Sequence, residues 1–239
     1  MRTALIALPL LALGACSAGH SASRDAGPAE GRSFAVGSFD SVSLEGSDNI
    51  RIVRGSATSV VASGPQTVLD KLDIRVEGST LKVGRKRQSW GNYWNRDESA
   101  AVTVTMPSIR AAAIAGSGDM MLDRADGEAF DGSVAGSGSM QIASLAVKRA
   151  SLSIAGSGDL MAVGTSDDSR LSIAGSGDLD AARLLSRRAD ISIRGSGNAR
   201  AAASDSAAIS LAGSGDAIVT GTAKCAISKV GSGEARCGQ

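Results

Sequence analysis

The sequence predicts a single-domain, all-β parallel β-helix, and two observations carry this prediction. The first is a set of seven Gly-Ser-Gly copies, which begin at Gly116, Gly136, Gly156, Gly175, Gly195, Gly213 and Gly231. The steps between them are 20, 20, 19, 20, 18 and 18 residues, and such a fixed period is typical of stacked-repeat proteins. The second is a period of two in the flanking residues, which is typical of strands with one buried face.

The flanks of each copy define the repeat. Four and two residues before the first glycine the chain is mostly apolar, as at Leu152 and Ile154, and the alternation resumes after the turn at Leu160 and Ala162. A helical repeat would need a period of 3.6 and would not tolerate two glycines at the middle of each unit. Each repeat is therefore predicted to contain a strand, a glycine corner and a second strand, followed by a variable return such as Val163–Ser169. About seven such coils are expected.

The corners share a small acidic or amide residue after the second glycine in five of the seven copies. The predicted turn motif comprises Gly116, Gly118 and Asp119; Gly156, Gly158 and Asp159; Gly175, Gly177 and Asp178; Gly195, Gly197 and Asn198; and Gly213, Gly215 and Asp216. Glycine suits such a corner because it accepts a positive φ and lets adjacent coils approach closely.

The column of turn aspartates could bind calcium, as glycine–aspartate β-rolls do. Those rolls use a nine-residue repeat in which both half-turns supply ligands, whereas here the other half-turn carries no matching Gly-Asp pattern. We therefore expect Asp and Asn to accept backbone N–H bonds at their own turns, and no metal or cofactor is predicted.

The serial GSG[DN] turns carry a family resemblance. Together with Phe39–Val53, which contains Gly46-Ser47-Asp48-Asn49-Ile50, and with Gln66–Val83, they resemble the bacterial auto-transporter adhesin head GIN domain family. The resemblance covers about Phe34 to Arg236. It implies a right-handed β-helix like the pectin-lyase type but without its catalytic residues, and a role in adhesion.

The start of the chain has the features of a bacterial lipoprotein. Residues 1–15 form an apolar signal peptide too short for a membrane span, and it ends in Leu13-Gly14-Ala15 before Cys16. We predict acylation of Cys16, a flexible tether over residues 16–33 and a β-helix domain over residues 34–239. Ser17 favours the outer membrane, by resemblance to Gram-negative lipoproteins. The alternative is an ordinary secretory signal that happens to contain a cysteine.

The region before the first Gly-Ser-Gly is predicted to form the first coils and the cap of the same solenoid. Phe34–Val83 alternates as short strands, with one helical turn at Val68–Lys71, and Gly84–Ser99 is the least repetitive stretch. That stretch combines basic residues with the candidate partner-binding residues Trp90, Tyr93 and Trp94. Such residues dominate interfaces and stack on sugar rings. The alternative is that they cover the open end of the β-helix.

Two cysteines flank the last Gly-Ser-Gly. Cys225 and Cys237 lie six residues before and six residues after Gly231, on the inward parity of the neighbouring strands. In an exported protein a pair within one coil indicates a disulfide, which would staple the final coil. The alternative is two free, buried thiols.

The composition excludes several classes of function. A net charge of +1 argues against nucleic acid as a partner. The only histidine is His20, in the tether, so no Ser-His-Asp or Cys-His arrangement can form in the domain. The leading hypothesis is a non-enzymatic, lipid-anchored envelope protein that serves in adhesion or envelope interactions, with a surface glycan or a protein as its possible ligand. The alternative is a polysaccharide-binding or polysaccharide-active periplasmic protein, with the turn aspartates or Asp167-Asp168 as the carboxylates.

Overall fold

The computed structural model describes residues 30–86, 99–221 and 224–238. In these residues the chain forms a single-domain parallel β-helix, in which 17 strands belong to one continuous sheet. One short helix, α1 (Gln66–Leu69), accompanies them. Within the described ranges, no helix has the length and apolar character needed to cross a membrane.

Each central coil has three sides. The first side precedes the glycine corner, the second follows it, and the third returns to the next coil. The first side is built from β2 (Ser41–Gly46), β6 (Thr80–Arg85), β8 (Ala111–Gly116), the ends of β10 (Ala125–Gly136), β11 (Ser139–Gly156), β12 (Asp159–Gly175), β13 (Asp178–Gly195) and β14 (Asn198–Gly213), and β16 (Cys225–Val230). The second side is built from β3 (Asn49–Arg54), β7 (Ala101–Met106), β9 (Met120–Leu122), the starts of β11 to β14, β15 (Ala217–Thr220) and β17 (Ala235–Cys237).

Equivalent residues of successive coils pair in register, so like side chains stack inside the solenoid. Ile154 pairs with Ile173, which pairs with Ile193, which pairs with Leu211. All four are at most 2% exposed. The register is strongly fixed because a slip of one residue would move the whole apolar row to the solvent face.

The return segment predicted at Val163–Ser169 forms a third strand, in addition to the two strands predicted for each repeat. Gly164 pairs with Leu145 of β11 and Leu184 of β13. The register shifts in β11 between Ile142 and Leu145, and in β12 between Met161 and Val163. These shifts interrupt the period of two for a few residues, which hides the strand from sequence inspection.

At the N-terminal end the spatial order departs from the order along the chain. β2 lies between β6 and β8. The coil made of β6 and β7, although later in the chain, is therefore closer to the N-terminal end of the solenoid than the coil made of β2 and β3. Antiparallel strands then close the edges: β5 (Leu72–Glu77) pairs with β6, β4 (Ser59–Gly64) with β7, and β1 (Glu30–Phe34) with β4. Helix α1 connects the two edges and packs Val68 and Leu69 into the core.

The C-terminal end is an open sheet edge. Among the described strands β16 pairs only with β14, and every residue of β16 is exposed. Ile227 occupies an inward position in register with Ile209, yet it is 48% exposed because no coil of the described ranges covers it. Lys229 occupies the place of the buried Leu211, and its Nζ donates to the carbonyl oxygen of Gly233 at 2.9 Å. A charged residue at an inward position of an edge strand discourages pairing with other chains.

Candidate functional site

The glycines of the Gly-Ser-Gly corners allow successive coils to pack closely. Gly156 has φ +127°, and a Cβ on it would collide with the carbonyl oxygen of Gly136 in the coil before. A Cβ on Gly158 would collide in the same way with the oxygen of Gly138. The other described Gly-Ser-Gly corners repeat these contacts, so the glycines let the corners stack directly on one another.

The turn Asp and Asn side chains act between coils, and the prediction that they serve their own turns is wrong. The N–H of Asp119 donates to Asn49 Oδ1 at 3.2 Å, and the N–H of Glu234 donates to Asp216 Oδ1 at 2.8 Å. The next corner lies in register beside each side chain, so its N–H is the nearest donor. Among the described residues, no group of three or more His, Cys, Asp or Glu side chains is placed to hold a metal ion.

The corner of the β2–β3 coil carries Asp48 in place of the second glycine. Asp48 is fully buried and accepts hydrogen bonds from Arg85 Nε at 2.9 Å, Arg85 Nη2 at 2.7 Å and the N–H of Ala100 at 2.9 Å. The neighbouring coil has no Gly-Ser-Gly there, because β6 ends at Arg85 and β7 begins at Ala101. Asp48 therefore has room for its side chain, and it binds both ends of the connection between these strands.

That connection contains the aromatic residues singled out from the sequence. Trp90, Tyr93 and Trp94 lie outside the described residues, as does Cys16. Partner binding and covering of the β-helix end therefore both remain hypotheses for the three aromatic residues. The predicted disulfide is present: Cys225 is bonded to Cys237, with their Cα atoms 6.3 Å apart. It joins the two arms of the last coil, which has no third side among the described residues.

A groove runs along the solenoid where the third side meets the first, and we call it the corner groove. Its volume is about 800 Å³. Its buried floor is formed by residues in register on successive coils, which are Phe130 and then the small residues Ala150, Ser169, Ala189 and Ala207. The surface is concave there because small floor residues stand between longer wall residues.

The two walls of the corner groove carry balanced charge. Asp168 and Arg188 lie on one wall, and Arg170 and Asp190 lie on the other. Asp168 and Arg170 flank the floor on one coil, and Arg188 and Asp190 flank it on the next. Arg188 Nη2 donates to Asp168 Oδ2 at 2.9 Å, and this hydrogen bond is the main reason that the pKa of Asp168 is lowered and that of Arg188 raised. Asp168 is therefore ionised at neutral pH.

The corner groove was not predicted from the sequence, although a signal for it exists there. Seven, six and five residues before the first glycine, three copies read long–small–polar, namely Arg149-Ala150-Ser151, Asp168-Ser169-Arg170 and Arg188-Ala189-Asp190. The small residue of each triplet becomes floor and its neighbours become walls. Each triplet directly precedes the apolar alternation of the first side, and that stronger pattern masks it.

Comparisons with known proteins agree with the β-helix fold. The profile of the family described as "Putative auto-transporter adhesin, head GIN domain" matches residues 38–223. A crystal structure of "a putative adhesin" from Bacteroides fragilis superposes with a TM-score of 0.74 at 21% identity, covering 88% of this chain and 97% of that one. A "putative lipid binding protein" from Parabacteroides distasonis gives 0.70 at 21% identity, with 88% and 96% covered.

A further crystal structure, of "a putative adhesin" from Parabacteroides merdae, gives a TM-score of 0.64 at 15% identity and covers 88% of this chain and 95% of that one. Likeness at these identities shows the fold alone. Among curated proteins, no sequence matches this chain.

Proposed function

This chain belongs to the family described as "Putative auto-transporter adhesin, head GIN domain". We propose that it is a non-enzymatic, lipid-anchored envelope protein that binds an extended ligand in its corner groove. The single observation that carries the proposal is the length of the groove. Its first-side wall continues in register from Asp131 of β10 to Ala226 of β16, through six strands. Six strands span about 24 Å, which suits a polymer segment better than a small molecule.

The wall chemistry favours an uncharged, hydroxyl-rich polymer such as a neutral glycan. Aspartate oxygens accept hydrogen bonds and arginine nitrogens donate them, so alternating Asp and Arg can satisfy hydroxyl groups, which do both. A strongly charged polymer would meet like charges on each wall, because Asp168 and Arg188 are neighbours on one and Arg170 and Asp190 on the other. An extended protein segment is the second ligand that such walls could accept.

Binding is better supported than cleavage. Glycosidases use one carboxyl group whose pKa is raised so that it can donate a proton. In the corner groove the pKa of Asp168 is shifted in the opposite direction, mainly by the hydrogen bond from Arg188. Such a carboxylate can accept hydrogen bonds from a sugar but is a poor general acid.

Acylation of Cys16 would attach the N-terminal end of the solenoid to the membrane. β1 begins at Glu30 and lies on the edge of the N-terminal end, so an anchor at Cys16 would hold that end toward the membrane. The corner groove, which starts only at β10, would then lie farther out. We expect Cys16→Ser to move the protein from the membrane fraction to the soluble fraction. Membrane association of this variant, with no acyl mass on the wild type, would contradict the anchor.

The groove is tested by blocking it. Ala208 is exposed on the groove wall, and Ala212 is exposed on the same strand outside it. In the soluble Cys16→Ser background, Ala208→Trp should reduce binding to immobilised neutral polysaccharides (dextran, mannan and xyloglucan) and to whole bacteria by at least tenfold. Ala212→Trp should bind like the parent. Equal binding by the two variants, or a parent protein that binds none of these targets, would contradict the proposal.

A further inference from the structure

A second groove lies on the outer surface where the second side meets the third. Its volume is about 320 Å³, and its lining includes Arg51, Met121, Gln141, Met161, Val163 and Arg183. We propose that this methionine groove binds the single acyl chain of an anionic amphiphile, with the anionic group at Arg183. The site is separate from the corner groove and does not depend on the function proposed for it.

The floor of the methionine groove exposes two apolar side chains, with one polar side chain between them. Met121 and Met161 are 49% and 37% exposed. They stand in register on β9 and β12 with Gln141 of β11 between them, whereas the next two outward positions are Asp180 and Arg200. Two steps between strands span about 10 Å. Methionine is unbranched and polarizable, so it adapts to flexible apolar ligands.

The cations at the two ends of this strip differ in their surroundings. Within the described ranges neither Arg51 nor Arg183 forms an ion pair; Nη2 of Arg183 lies 3.4 Å from Met161 Sδ, a weak acceptor. Asp123 lines the groove beside Arg51, because it directly follows Leu122, which pairs with Ile52.

At the other end, Asp180 is the nearest carboxylate along the chain. It does not line the groove as Asp123 does, and its Oδ1 accepts the N–H of Ala182 at 3.0 Å. Arg183 therefore lies at the end of the groove away from Asp123, which favours it over Arg51 as the partner of the anionic group. A guanidinium can bind a carboxylate through two parallel N–H groups, which fixes the orientation of the ligand as well as its affinity.

The size of the groove selects one chain. Ligand sites for small molecules range from about 300 to 1,000 Å³, so this groove lies at the lower limit. It can hold part of one acyl chain beside the two methionines but not a two-chain lipid. A free long-chain carboxylate matches the small volume, the two exposed methionines and the cation at the end of the groove.

The test uses laurate below its micelle concentration, with the soluble Cys16→Ser protein carrying ¹³C-labelled methionine methyl groups. Laurate should shift the methyl resonances of Met121 and Met161, and dodecyltrimethylammonium should bind at least tenfold more weakly. Arg183→Gln should weaken laurate binding about tenfold, as expected for loss of one charged hydrogen-bonding partner. Arg194→Gln, an exposed arginine on the first side, is the matched control and should have no effect.

Several results would overturn the site. These are unshifted Met121 and Met161 resonances, equal affinities for the anionic and cationic amphiphiles, or equal effects of the two arginine substitutions. Binding to phosphatidylglycerol vesicles without binding to laurate would also overturn it, in favour of a membrane surface. Ala208→Trp should leave laurate binding unchanged, which separates this result from the test of the corner groove.

Discussion

At the scale of single residues, two separate constraints act on the corner glycines. Gly156 has a positive φ and also lacks space for a Cβ, because the carbonyl oxygen of Gly136 occupies that space. Gly127 has φ +139°, but no heavy atom lies within 4 Å of the place that a Cβ would take. Comparing the two positions separates the cost of the backbone conformation from the cost of coil stacking.

We expect Gly156→Ala to lower the free energy of unfolding by about 3 kcal/mol or more, because conformational strain and a backbone clash add. Gly127→Ala should cost about 1 kcal/mol, from conformation alone. Urea denaturation followed by circular dichroism measures both. Similar losses in the two variants would show that stacking of the corners contributes little.

Asp48 gives the second prediction at this scale. Asp48→Asn removes the charge that faces the largely buried Arg85, so we expect a loss of about 3 kcal/mol, in the range seen when one partner of a buried pair is removed. Asp119→Asn is the matched control, since Asp119 is exposed. Asn198, at the equivalent position of another coil, already accepts the same kind of hydrogen bond from the N–H of the next corner. Thermal or urea unfolding that ranks the two variants equally would contradict the importance of the buried pair.

At the scale of elements, β16 is an edge strand whose exposed backbone could pair with another molecule. Its edge is unpaired among the described residues, and its inward positions hold Cys225, Ile227 and Lys229. The disulfide and the lysine both stand where a further coil would otherwise pack. The C-terminal end is therefore protected by a disulfide bond and a charged side chain, whereas the N-terminal end is protected by antiparallel strands and α1.

Replacing Lys229 by Leu should extend the apolar row of Leu211 to the open edge and promote association between molecules, because an apolar edge strand pairs readily. Sedimentation at increasing protein concentration should show dimers or larger species. Lys148→Leu, at an exposed position on the third side with its side chain 61% exposed, should remain monomeric. A monomeric Lys229→Leu protein would show that the disulfide alone protects this end.

At the scale of the whole molecule, the turn side chains form a row along the length of the solenoid. It begins at Asn49 and ends at Glu234, and its hydrogen bonds pass mostly from one coil to the next. Ser139 and Asn198 separate some of the carboxylates, which limits repulsion between like charges. These hydrogen bonds therefore link successive coils directly.

Calcium should consequently not be required for folding. Adding calcium to protein stripped with a chelator should leave Tm unchanged, because a ligand raises stability only when it binds the folded state. Differential scanning calorimetry with magnesium as the comparison ion measures this. A rise in Tm that grows with calcium concentration would show that the row is a calcium site.

The parallel β-helix, its corners and the disulfide could all be predicted from the amino-acid sequence. Each of these depends on signals that recur or lie close together in the chain: a period near 19 residues, alternation around Leu152 and Ile154, and two cysteines within one coil. A structural constraint that acts on every coil produces a residue pattern that recurs in every repeat. Such a pattern can be detected in the sequence without knowing which residues are neighbours in the folded chain.

Other features emerge only in the folded chain: the placement of β6 and β7 outside β2 and β3, the acceptors of the turn N–H groups, and both grooves. Each depends on which coil lies beside which. Asp48 meets Arg85 only because β6 returns to the outer side of β2. The corner groove exists only because Ala150, Ser169 and Ala189 stack between longer neighbours. Contacts between residues distant in the chain leave no local period, so packing and not sequence pattern determines them.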